Sequence, residues 1–166
     1  MSVDVSPLTR RAGYAAAAVA LLYAAVSVHW ALGGKVLLST VGGWVEDLGQ
    51  RGGAAPVVVG LLAAGTKLAG AMLALALVHP AGRRLRQRPL WALAAAGSGI
   101  LVLYGGALVV AGALVLTGVI TPAGAVDRSA LRWHVLVWDS WFLLWGLLLG
   151  LTVLSRRRDA HDTSNA

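Results

Sequence analysis

Four long apolar stretches constrain this chain more than any other feature. Residues 12–30, 56–78, 90–120 and 131–154 each approach or exceed the roughly 20 residues that a helix needs to cross a hydrocarbon core. Such a core offers no water to backbone N–H and C=O groups, so each stretch must bond them internally, as a helix. Composition agrees: 58% of residues are hydrophobic and 13% charged, against about 25% charged in soluble domains. The expectation is an all-α integral membrane four-helix bundle over 12–154. Short tails flank it at 1–11 and 155–166, the second of them disordered, and no separate soluble domain fits. The first stretch follows Arg10 and Arg11 like a signal peptide but runs into Ser27-Val28-His29-Trp30, a poor cleavage site. It is expected to be a retained first helix.

A formal net charge of +7 would suit nucleic acid, but its distribution does not. The cations cluster at Arg10 and Arg11, at Arg83, Arg84, Arg86 and Arg88, and at Arg156 to Arg158. These clusters flank helix ends on alternate turns, the pattern of the positive-inside rule. Both termini are therefore expected in the cytoplasm, in a multi-pass protein of the cell membrane, with the lipid bilayer rather than nucleic acid as partner. Absence of cysteine excludes disulfides and thiolate metal sites. The loop at 31–55 is divided by paired glycines, and its middle piece, 36–48, is apolar enough to lie on or dip into the membrane surface.

Ionisable groups at membrane depth are costly and mark function or register. Lys67 and Asp139 both lie well inside their stretches, at depths differing by about 5 Å. Small residues share their helical faces: Gly60, Ala63, Ala64, Gly70, Ala71 and Ala74 around Lys67, and Gly146 and Gly150 around Asp139. Small residues mark sides where another helix packs. An ion pair between Lys67 and Asp139 is the expected result. His134, Trp138, Trp141 and Trp145 form a separate stripe, about 100° around the helix from Asp139. Tyr23, Ser27 and Trp30 form another on the first helix, with His29 beside it. Glu46 and Asp47 lie toward the same end, and Tyr104 lies nearer the middle of its helix.

Each group has a plainer reading. Lys67 and Asp139 could only fix register, His29 and His134 could reach headgroups, and Trp30, Trp91 and Trp133 could be interfacial anchors. Trp138, Trp141 and Trp145 could be lipid-facing bulk. The sharper reading is an apolar pocket in the outer half of the bundle. Its walls would be Trp138, Trp141, Trp145, Trp30, Tyr23 and Tyr104, with Asp139, His134, His29, Glu46 and Asp47 as candidate catalytic groups. A desolvated acid beside indole faces suits acid-initiated carbocation chemistry, the cyclisation or isomerisation of an isoprenoid- or sterol-like substrate. Tight pairing with Lys67 would keep Asp139 ionised, and Glu46, Asp47 or a histidinium would then be the acid. No cofactor or metal is required. The alternatives are a non-catalytic accessory or transport protein, or a haem b protein ligated by His29 and His134.

The motifs HWALGG (29–34) and WDSWFLLWG (138–146), within this layout, resemble a family of small bacterial four-span membrane proteins known only as a domain of unknown function. The similarity covers about 12–154. It implies the topology and no chemistry.

Overall fold

The computed structural model describes residues 5–164, with the side chains of all but 83, 84 and 160–164. It is helical, with no strand among the described residues. Helix α1 (Pro7–Ala31) starts where Ser6 accepts the Thr9 N–H and Pro7 sets the first turn. A short helix, α2 (Gly43–Arg51), follows a 3₁₀ turn. Gly42, Gly52 and Gly53 bracket α2 at φ of 63°, 67° and 86°, values that side chains resist. Helix α3 (Ala54–Val78) stops before His79-Pro80, and α4 (Gln87–Leu116) follows. Asp127 then caps α5 (Arg128–Trp133) by accepting the Ser129 and Ala130 N–H groups. A π-helical turn, His134–Trp138, joins α5 to α6 (Asp139–Ser164). Helices α1, α3, α4 and the α5–α6 rod are long and apolar enough to cross a membrane.

Two close pairs make the bundle, α1 with α3 and α4 with α6, and contact between α1 and α6 joins them. Alanines line the first seam: Ala16, Ala17, Ala20 and Ala24 meet Ala64, Ala71 and Ala74, all nearly inaccessible. Glycines line the second. A Cβ on Gly146 would come within 2.8 Å of Val102 N, and one on Gly105 within 2.8 Å of Asp139 O. Ser98 takes advantage of this approach, its hydroxyl donating to Gly146 O at 2.8 Å. Without a hydrophobic drive between helices in lipid, close backbone approach is what holds them. A core of Leu77, Trp145, Leu149 and Val153 fills the middle. Helix α4 contributes little to it and presents Ile100 and Leu103 outward.

The arginine-bearing helix ends gather at one end of the bundle. Ser6 N–H and the Thr9 hydroxyl both donate to Asp159 Oδ2, at 3.0 and 2.9 Å, which pins the start of α1 to the last turns of α6. Arg157 lies over the Trp91 ring at the start of α4. These contacts correct the expectation of disorder over 155–164, while residues 165 and 166 lie outside the described part. The helix continues through Ser164 because Asp159 serves the exposed N–H end of α1, a favourable place for a carboxylate. At the other terminus, α1 begins at Pro7, inside the segment expected to be a tail, and residues 1–4 lie outside the described part.

Candidate functional site

Residues 134–138 break the α-helical pattern. The Asp139 N–H reaches back five residues, to His134 O, and the Ser140 hydroxyl bonds Val135 O at 2.5 Å. In an α-helix, residues five apart lie about 140° apart around the axis. The wider turn reduces that angle and puts His134 and Asp139 on one face. His134 Nδ1 lies 3.2 Å from Asp139 Oδ1, and His134 Nε2 donates to Val41 O at 2.8 Å. A carbonyl only accepts, so Nε2 carries a proton. Nδ1 then meets Asp139 either as N–H against carboxylate or as lone pair against acid O–H. Either way the pair holds one shared proton and is neutral as a whole. Asp139 is 6% exposed, and its Oδ2 makes no hydrogen bond among the described residues.

Lys67 approaches from α3. Its Nζ donates to Ser27 Oγ at 2.6 Å, and Ser27 donates onward to Tyr23 O at 3.3 Å. Nζ also stands 4.0 Å from the centre of the Tyr23 ring, over its face. Tyr23 packs in turn on Phe142, Trp141 and Trp138, with ring centres 5.0, 5.7 and 6.0 Å away. The indoles are held at their polar edges: Trp138 Nε1 donates to Thr40 Oγ1 at 3.2 Å, and Trp30 Nε1 to Val36 O at 2.8 Å.

Together these groups line a partly open cavity of about 270 Å³ at the end of the bundle opposite the three arginine clusters. Tyr23, Ser27 and Trp30 form one wall, Lys67 and Ala63 another, and His134, Trp138, Asp139 and Phe142 a third. Leu38, Val41 and the Trp44, Val45, Leu48 side of α2 close it over. Tyr104 reaches its edge from α4. A mostly apolar cavity with a few convergent polar groups is the usual form of a small-molecule site, although this one lies just below the usual range of about 300–1,000 Å³. A second recess, bordered by Thr66, Leu101 and Trp145, shares Lys67, Ala63 and Phe142 with it.

Residues 20–149 match a family described as a protein of unknown function, DUF3995, a span that takes in the whole cavity wall. The chain belongs to the DUF3995 family. No curated protein and no solved structure matches it.

In this DUF3995 protein several expected site residues lie apart from the cavity. Lys67 and Asp139 do not form an ion pair. Close packing of α3 on α1 takes the ammonium to Ser27 and Tyr23, and the π turn gives Asp139 to His134. His29 lies two residues from Ser27 and so on another side of α1, exposed beside Val36 and Leu37. His29 therefore does not share the cavity wall with His134, whose two ring nitrogens contact Asp139 and the Val41 carbonyl. Glu46 bonds Gln50 at 3.3 Å, and neither it nor Asp47 borders the cavity, because α2 turns its apolar side inward. Trp141 sits outside the wall, its Nε1 donating to Val19 O at 3.0 Å. Trp145 lies deeper, buried against Gly70. The α-helical stripe joining His134 to Trp141 and Trp145 is interrupted by the π turn.

Phe142 and the Val41 carbonyl were not anticipated as site groups. Phe142 is three residues beyond Asp139 and was legible by helical spacing. Val41 was not, because a carbonyl contributes no side-chain signal.

Proposed function

We propose that this DUF3995 protein is an integral enzyme of the cell membrane that isomerises a lipophilic, isoprenoid- or sterol-like substrate by proton transfer. The observation that carries this reading is the His134–Asp139 pair on the wall of an apolar cavity. Asp139 is the catalytic residue, exchanging a proton with the substrate at Oδ2. His134 is a positioning residue, since both its nitrogens are engaged: it holds the carboxyl and balances its charge through the shared proton. Tyr23, Trp30 and Trp138 shape the apolar volume. A sterol-sized substrate would extend beyond about 270 Å³ into the gap between helices. The arginine-bearing end, with both termini, faces the cytoplasm under the positive-inside rule, and the cavity opens toward the outer leaflet.

The test compares total lipid extracts, by mass spectrometry, from cells expressing the wild-type protein and cells expressing Asp139→Asn at equal level. A substrate–product pair whose ratio shifts with wild type and not with the variant supports the reading. Identical lipid profiles count against turnover.

A further inference from the structure

Lys67 places a positive charge on the cavity wall that the protein leaves unbalanced. No carboxylate pairs with it among the described residues, and the nearby His134–Asp139 pair is neutral as a whole. One of its three N–H groups is spent on Ser27 Oγ, and one side is covered by the Tyr23 ring. The remaining donor capacity borders open volume, in the main cavity and in the second recess. A charge in an apolar setting is ordinarily partnered. Here the missing partner is an oxygen that the ligand would bring.

We infer that the cavity takes a lipophilic ketone, whose carbonyl oxygen accepts a hydrogen bond from Lys67 Nζ. This rests on the enzymatic reading above and names its substrate class. A single ammonium suits a carbonyl, whereas phosphate or diphosphate esters are generally held by several donors or a bidentate arginine. The same charge changes the chemistry from that expected of the tryptophans alone. A carbocation would form beside a fixed ammonium, and the Tyr23 face that could stabilise it is already occupied by Lys67.

Negative charge would instead be favoured, as at an oxyanion site. Asp139 Oδ2 removes a proton from the carbon next to the carbonyl. The C–H electron pair becomes a carbon–carbon double bond, and the C=O π pair moves onto the oxygen facing Lys67. Where a further double bond is conjugated with this enolate, the proton returns from Oδ2 to its far carbon. The carbonyl re-forms, the double bond has moved, and no co-reactant is consumed. The second recess opens between α3 and α4, which pack together only lightly, so a ligand can reach Lys67 from within the bilayer.

The test uses purified full-length protein in detergent with geranylacetone, the hydrocarbon of the same skeleton, and a carboxylic acid of matched length. Quenching of tryptophan fluorescence reads binding, and hydrogen exchange of the ketone in heavy water reads proton transfer. Wild type is expected to bind the ketone about tenfold or more tighter than the hydrocarbon, the worth of one hydrogen bond to a charged donor. Lys67→Met is expected to abolish that preference while binding the hydrocarbon as wild type does, which shows the pocket intact. Asp139→Asn should keep the preference and lose the exchange. Equal preference in wild type and Lys67→Met overturns the assignment, and so does Lys67-dependent binding of the carboxylic acid in place of the ketone. A Lys67-dependent ketone preference without exchange in wild type upholds the Lys67 site and removes proton transfer by Asp139.

Discussion

Asp139 is tolerable inside an apolar helix because it shares a proton with His134 and because Gly105 lets α4 close over its backbone. An unpartnered charge there would cost about 2.5–3.5 kcal/mol on insertion scales. Removing His134 leaves Asp139 buried alone, so His134→Leu should destabilise by about 3–5 kcal/mol; Asp139→Leu leaves a partly exposed imidazole and should cost less. The double substitution should fall short of the sum by about 1–3 kcal/mol, measured by thermal unfolding in detergent. The cycle of Lys67→Met with Asp139→Leu should be additive within about 0.5 kcal/mol, because Lys67 bonds Ser27 instead. Coupling in the second cycle and none in the first would reverse this account. Sequence identified Lys67 and Asp139 as the groups needing partners, because charge at depth is visible in any apolar run. It named the wrong partners, because their choice depends on helix rotation and on a main-chain carbonyl, at Val41, that no residue type reveals.

The π turn at His134–Trp138 is the element that makes the site. It acts as one residue inserted into an α-helix. Deleting Leu136, which is 74% exposed, should restore α-helical bonding and leave His134 four residues before the carboxylate, about 40° away and still on one face. The shortened protein should keep its helical circular dichroism and the His134–Asp139 coupling; lost coupling would show that the turn does more than absorb one inserted residue. The four spans were legible because hydropathy over about 20 residues needs no register. The turn was not, since wheel arithmetic assumes 3.6 residues throughout, and that assumption wrongly set Trp141 and Trp145 beside His134. Helix seams were legible from glycine and alanine spacing, and they yield a contrast on the α4–α6 side. Gly146→Ala should destabilise by about 1–3 kcal/mol through overpacking against Val102 and Leu101. Gly97→Ala, whose nearest new neighbour is 3.9 Å away, should be neutral or stabilise by up to about 1 kcal/mol. Thermal unfolding of both variants checks the pair, and equal losses would contradict the seam.

At the scale of the whole molecule the bundle is polarised. Its three arginine clusters gather at one end, while the cavity and its covering helix α2 occupy the other. Reporter fusions after Ala166 and within the loop at Gly53 should report opposite sides of the membrane, with Ala166 cytoplasmic; the same side for both would refute the four-span arrangement. Polarity along the chain was readable from the spacing of arginines. The cavity was readable only as a tendency of aromatic and polar groups to collect at one end, since enclosure depends on how α2 folds over it, and that follows from the glycines at 42, 52 and 53. The cavity is expected to hold a lipophilic molecule. Mass spectrometry of lipids extracted from purified wild-type protein, beside an Ala63→Phe variant whose ring fills the cavity, tests it most directly. One lipophilic species should be enriched over bulk lipid in the wild type and missing from the filled variant. The same unselected lipid mixture in both would contradict it.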